Sequence, residues 1–176
     1  MKRIITQQSK VVLVLAALVF TVGFGAGVAL AQSPHFIDSK TSLTLATDGG
    51  LTVKWKESGL GDNLNIDYTF GATATVACVC ATKNGSCPNA ANKSKGSVAE
   101  SASGTFSVKN GSVVGSLTLQ SPGCPASLQP TCGGGQHFEL VDLTWTDISL
   151  SDDTNTVFAG GLPESESVTG LFVCRH

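Results

Sequence analysis

The chain has 176 residues, of which 41% are hydrophobic and only 14% charged, with 11 basic side chains against 13 acidic ones. That is one domain's worth of polypeptide, and so weak a basic complement argues against a nucleic-acid binder, which must neutralise phosphates with a basic face.

The first ten residues, MKRIITQQSK, carry Lys2, Arg3 and Lys10 and no acid, and they lead into Val11–Ala31, which holds no charge. This is the layout of a signal peptide. Ala29 and Ala31 supply the small residues that a signal peptidase reads, so cleavage is expected after Ala31, with Gln32 as the mature N-terminus. The alternative is an uncleaved membrane anchor, because 21 uncharged residues in a helix could just cross a hydrocarbon core of about 30 Å. Gly23, Gly25 and Gly27 weaken such a helix close to the cut. Residues 1–31 are therefore assigned to a signal peptide and residues 32–176 to a single domain. Cleavage removes three of the 11 basic groups and none of the 13 acids, leaving 8 against 13 and a net charge of −5.

From Phe36 onward the apolar residues alternate at period 2 among Thr, Val and aromatic residues, and Gly, Asn, Asp and Ser interrupt them. A hairpin is expected around Asp48-Gly49-Gly50, read as a three-residue loop that sets Thr47 opposite Leu51, Leu45 opposite Val53 and Leu43 opposite Trp55. One face is then apolar, while Lys54 and Lys56 point the other way. Ile66–Phe70 alternates, and the run from Thr73 to Cys80 follows after Gly71, a candidate bulge or bend.

Asn110-Gly111 fits a type I′ turn and predicts a second hairpin, pairing Val108 with Val113, Phe106 with Gly115, Gly104 with Leu117 and Ala102 with Leu119. In that register Phe106 covers a strand glycine. His137–Leu150 is apolar on both parities around Leu140, Val141 and Leu143, then favours Trp145 on one parity and Ile148 with Leu150 on the other, which is the pattern of a central strand with a bulge. Val157–Ala159 and Val168–Cys174 are the last strand candidates. Eight or so short strands with little helix predict an all-β fold: an antiparallel β-sandwich, immunoglobulin-like or jelly-roll.

The segments PHFIDSKTSLT, KESGLGDNLNIDYT, ATATVAC, PNAANK, SGTFSVKNGSVVGSLTL and CGGGQHFEL together resemble a group of small secreted bacterial proteins of uncharacterised function. The resemblance covers most of the mature chain and implies the export and the β-sandwich, but it transfers no activity, cofactor or catalytic residue. It implies one bridge, between the cysteines that match Cys78 and Cys132.

All six cysteines, Cys78, Cys80, Cys87, Cys124, Cys132 and Cys174, lie beyond the cleavage site, and an even number in an exported domain reads as a disulfide framework. Zinc spacing and a Cys-x-x-Cys redox pair are both missing. Given the bridge implied by the resemblance, Cys80 with Cys87 and Cys124 with Cys174 would remain. Cys80 with Cys87 demands an irregular loop, since a regular Asn84-Gly85 hairpin places Thr82 opposite Cys87 and leaves a diagonal of about 7–8 Å. The rival set pairs Cys124 with Cys132 and sends Cys174 to the Cys78-Val79-Cys80 strand.

Chemistry has little else to draw on. The three histidines, His35, His137 and His176, are scattered, and there is no nucleophile elbow or phosphate loop. His35 would suit an N-terminal copper site only if it began the mature chain, and the cut after Ala31 leaves three residues ahead of it. Ser151–Asn155 lacks the acid pattern of a calcium loop. Trp55, Tyr68 and Trp145 could line a sugar platform, but Trp55 falls on the apolar face and Trp145 in an apolar strand, so both are assigned to the core.

No catalytic residue, metal ligand or cofactor is assigned. The function expected is that of a secreted, non-enzymatic structural, surface or binding module, its partner a cell-surface or matrix component or a polysaccharide, with membrane contact only if the leader is retained. A carbohydrate-binding module is the alternative, and a secreted enzyme with an unrecognised site the third reading.

Overall fold

The fold is described from a computed structural model over residues 33–61, 65–87, 93–152, 156–157 and 162–175. Nine strands follow in chain order: β1 (His35–Phe36), β2 (Ser42–Leu45), β3 (Leu51–Ser58), β4 (Asn65–Thr82), β5 (Lys93–Ser107), β6 (Ser112–Leu119), β7 (Gln136–Asp152), β8 (Thr156–Val157) and β9 (Ser165–Thr169). They make two antiparallel sheets. In the first, β3 pairs with β1 and β2 along one edge and with β6 along the other. In the second, β4 lies between β5 and β7, and β7 carries β8 and β9 on its far side. The protein is thus all-β, as the periodicity requires.

Alternation decides what each strand buries. In β3, Leu51, Val53, Trp55 and Glu57 are buried while Thr52, Lys54, Lys56 and Ser58 are not. In β4, Ile66, Tyr68, Phe70, Ala72, Ala74 and Val76 are buried in the same way. The apolar ones among these residues join Leu60, Val113, Leu119, Leu143, Trp145, Ile148 and Leu150 in one cluster drawn from both sheets. The Trp145 indole N–H also donates to the Gly49 carbonyl of the first sheet, at 3.0 Å.

The first hairpin keeps the expected apolar face but not the expected register. Leu45 opposes Leu51 and Leu43 opposes Val53, so the loop is Thr47-Asp48-Gly49 rather than Asp48-Gly49-Gly50. The Ala46 N–H donates to the Gly50 carbonyl at 2.8 Å, and Gly49, not Gly50, takes the left-handed conformation, with φ of 89°. A left-handed residue at the third loop position is the usual geometry of a three-residue hairpin. The shift is by two residues, so every side chain stays on its face.

The second hairpin is corrected more deeply. Asn110 and Gly111 do take positive φ, 50° and 68°, as the type I′ turn requires. Pairing nevertheless ends at Lys109 and Ser112. Beyond them β5 turns into the second sheet, with Phe106 opposite Ile66, and β6 into the first, with Gly115 opposite Trp55. The four predicted pairs therefore do not form, and the turn carries the chain from one sheet to the other. The ring that covers Gly115 is Trp55: a Cβ added at Gly115 would lie 2.3 Å from it. Phe106 and Leu117 instead meet over Gly104, one from each sheet.

Gly71 does not break its strand, because β4 runs unbroken through it for 18 residues. The extra residues sit on β7. Its register against β4 shifts between Gly71 and Thr73 and again between Ala77 and Cys78, which inserts one residue near Asp147 and one at Val141. These are the two places where the sequence loses strict alternation. Of the last two strand candidates, β9 is Ser165–Thr169 rather than Val168–Cys174, and β8 is Thr156–Val157, with residues 158–161 outside the described residues.

The cysteines pair as Cys78–Cys124, Cys80–Cys132 and Cys87–Cys174, with Cα separations of 5.9, 5.5 and 5.3 Å. Neither the Cys78–Cys132 bridge implied by the resemblance nor the pairs Cys80–Cys87, Cys124–Cys174 and Cys124–Cys132 occur. Cys78 and Cys80 share the buried face of β4, past Val76, where the Gly49 loop against Leu143 ends the first sheet. The segment after β6 takes that sheet's place: its 3₁₀ turn, Ala126–Leu128, is bonded to Ser94 of β5 through the Leu128 carbonyl. One segment thus supplies both partners in parallel order. Cys87, just beyond the Asn84-Gly85 turn, meets the C-terminal chain, where the Arg175 N–H donates to the Gly85 carbonyl at 2.9 Å.

Candidate functional site

Among the described residues, three of the places that hold groups able to do chemistry or bind stand out. The first is internal. Continuing the inward parity of β3 past Trp55 brings Glu57 into the core, where it is fully buried. Tyr68 of β4 donates its hydroxyl to Glu57 Oε2 at 2.6 Å, and Asp152, opposite Tyr68 in the β4–β7 ladder, is close enough to act on the Glu57 carboxyl. Phe36, Trp55 and Phe106 pack around Tyr68, with ring centroids 4.8–6.2 Å from it.

Burial, opposed by the Tyr68 hydrogen bond and reinforced by Asp152, pushes the Glu57 carboxyl up to about 7. The Tyr68 hydroxyl is pushed well above its ordinary range by burial and by Glu57, so it stays a neutral donor. Glu57 Oε1 and Trp55 Nε1 are buried with no hydrogen-bond partner among the described residues. A group so placed can hold a proton between the sheets, but a substrate cannot reach a carboxyl with no exposed surface. The sequence reading ended its inward face at Trp55; one further step of period 2 would have marked Glu57.

The second place is a groove of about 570 Å³ on the first sheet, lined by Lys40, Lys54, Lys56, Phe106, Val114 and Gly115 among others. Lys54 and Lys56 follow from the outward parity of β3, and Lys40 ends the 3₁₀ turn Asp38–Lys40. Val114 beside them is 75% exposed. The third is a groove of about 640 Å³ on the second sheet, where Lys93 and Lys95 share the lining with Asp142 and with Phe172 and Val173 of the C-terminal segment.

The other sequence candidates separate. His35 lies on β1 with its Nδ1 2.8 Å from the Ser33 carbonyl oxygen, and His137 pairs with Glu139 on β7 at 2.9 Å. His176, Ala31 and Gln32 lie outside the described residues. Among the described residues no cluster of His, Cys, Asp and Glu could hold a metal ion, and no helix is long and apolar enough to cross a membrane. Ser151 and Asp152 end β7, while residues 153–155 lie outside the described residues. Trp55, Tyr68 and Trp145 are all buried, so the sugar platform considered for them is not formed. Comparison with protein-family models, with curated proteins and with solved structures returns no match.

Proposed function

We propose that the chain is an exported, disulfide-stapled β-sandwich of immunoglobulin-like or jelly-roll type, acting outside the cytoplasm as a non-enzymatic surface, matrix or binding module. The observation that carries this reading is the chemistry of the outward sheet faces. Across the second sheet the successive rows are Ser103-Thr69-Ser151, Ser101-Gly71-Ser149, Ala99-Thr73-Thr146-Ser165 and Ser97-Thr75-Thr144-Ser167. Across the first they are Thr44-Thr52-Thr118 and Ser42-Lys54-Ser116. Hydroxyls at regular strand spacing present a hydrogen-bonding surface, while Trp55, Tyr68, Phe70 and Trp145 are spent on the interior and Phe138, near the start of β7, is exposed.

Three bridges support an oxidising compartment, and the charged, then apolar, N-terminal segment supports export. The groups that could transfer protons are either sealed, as Glu57 is, or dispersed, as His35 and His137 are, which favours binding over catalysis. The test is mass spectrometry of the exported protein with and without reduction. The reading expects a mature chain that begins at Gln32 and alkylates only after reduction. Recovery of six free thiols would refute it.

A further inference from the structure

The outer face of the first sheet separates charge in a way the other grooves among the described residues do not. Its rows are Thr44-Thr52-Thr118, Ser42-Lys54-Ser116, Lys56-Val114 and His35-Ser58-Ser112, and none contains a carboxylate, because the one acid of β3, Glu57, points inward. Lys40 adds a third ammonium at the rim, with Asp38 on the same turn as the nearest acid in sequence. The sole ion pair among the described residues is His137–Glu139, so none of the three lysines is neutralised within the fold. The processed chain carries 8 basic groups against 13 acidic ones, yet three of those eight meet over one groove. The groove on the second sheet differs: there Asp142 shares the lining with Lys93 and Lys95.

We propose that this face docks an acidic polysaccharide, whose carboxylates meet Lys40, Lys54 and Lys56 while the flanking Ser42, Thr52, Ser116 and Thr118 hydrogen-bond its hydroxyls. The inference rests on the reading of the chain as an exported binding module and names its partner class. Charge complementarity selects the sign of the ligand. Hydroxyls on both sides of Lys54 select a polymer that is itself rich in hydroxyls over an acidic peptide, and exposed Val114 offers an apolar contact for the C–H face of a sugar ring. Lys54 and Lys56 stand two residues apart on one strand, about 7 Å, so they can engage separate charged groups along an extended chain. An anionic bilayer is a poorer match, since three lysines and one valine supply too little charge and apolar surface for stable anchoring.

The test uses the processed, oxidised protein and immobilised polygalacturonate. Retention is expected at low ionic strength and loss of it as salt is raised, because exposed charges are screened. Lys54→Gln with Lys56→Gln should weaken retention roughly tenfold or more with an unchanged melting temperature, whereas Lys93→Gln with Lys95→Gln should leave it intact. Equal retention on a neutral glucan, equal binding to polyglutamate or to phosphatidylserine vesicles, equal loss in the Lys93 and Lys95 variant, or no retention at all would each overturn the proposal. A sample shown to be exported and fully oxidised, yet not retained, overturns this inference alone; free thiols in the exported protein overturn the reading beneath it.

Discussion

The Tyr68 hydroxyl donates a 2.6 Å hydrogen bond to the fully buried carboxyl of Glu57, joining the central strand of one sheet to the central strand of the other through the core. A carboxyl held there is stable when neutral. Charged, it would lie in apolar surroundings beside Asp152 with no cation facing it: its neighbours from β1, β4, β6 and β7 are Phe36, Tyr68, Val113 and Asp152.

The pH dependence follows with its sign. The folded-state pKa of Glu57, about 7, lies above its ordinary 4.5, so the folded chain binds more protons than the unfolded one between those values. This contribution to stability is complete below pH 4.5 and is lost as pH rises through 7. At about 1.4 kcal/mol per pKa unit, the loss is on the order of 3–4 kcal/mol. Thermal melts should therefore give a lower midpoint at pH 8 than at pH 5, and Glu57→Gln should flatten that difference. An unchanged slope in the variant would assign the dependence to another group.

The disulfide connectivity is open to a direct chemical check. Replacing one cysteine frees its partner: Cys124→Ser should expose Cys78 to alkylation, Cys132→Ser should expose Cys80, and Cys174→Ser should expose Cys87. Labelling of Cys132 in the first variant would restore a different framework. Each loss should cost about 2–4 kcal/mol. Cys174→Ser should also make the C-terminal segment the first site of proteolysis, since that bridge ties it to the turn after β4.

Gly115 is required by Trp55. A Cβ there would meet the indole ring at 2.3 Å, and the ring, 1% exposed and packed on Tyr68 and Phe106, has little room to move. Gly115→Ala is expected to destabilise by about 1–3 kcal/mol, as overpacking does. Gly134→Ala, where nothing lies within 4 Å, is the matched control and should be close to neutral. Denaturant titration of the two variants decides the point.

What the sequence made legible was parity; what it hid was partnership. Leu51, Val53 and Trp55 are inward because alternation is local, and it survives even a two-residue error in the hairpin register. The Asn110-Gly111 turn is equally local and forms as its residues dictate. Whether the strands leaving it pair with each other or with β3 and β4 depends on contacts far from the turn in sequence, and turn chemistry carries no information about those. The cysteines fail in the same way. Parity puts Cys78 and Cys80 on one face, but their partners depend on where the segment after β6 crosses that face. The lysine groove joins β3 to Lys40 and Phe106, which become neighbours only once both sheets are in place.

Asp147 shows how one backbone position carries that parity across a break. It is a non-glycine residue at φ of 52°, lying where β7 holds one residue more than β4 can match, between Thr146 opposite Thr73 and Ser149 opposite Gly71. Trp145 before it and Ile148 and Leu150 after it all face the core, although strict alternation would place them on opposite sides. The left-handed conformation costs an L-residue roughly 1–2 kcal/mol, less for Asp, which tolerates it better than most, and nothing for Gly. Asp147→Gly is therefore expected to leave stability unchanged or slightly raised, and Asp147→Val to lower it by about that cost, with the Thr146 Oγ1 to Asp147 Oδ2 contact of 3.3 Å lost equally in both. Deleting the residue is a different experiment: Ala72 would then oppose Ile148, the pairs Gly71–Ser149 and Phe70–Leu150 would be kept, and regular alternation would hold Trp145, Ile148 and Leu150 inward, so the chain should still give a cooperative melt. A deletion variant that loses its cooperative melt would mean that Asp147 does more than take up the one residue by which β7 exceeds β4.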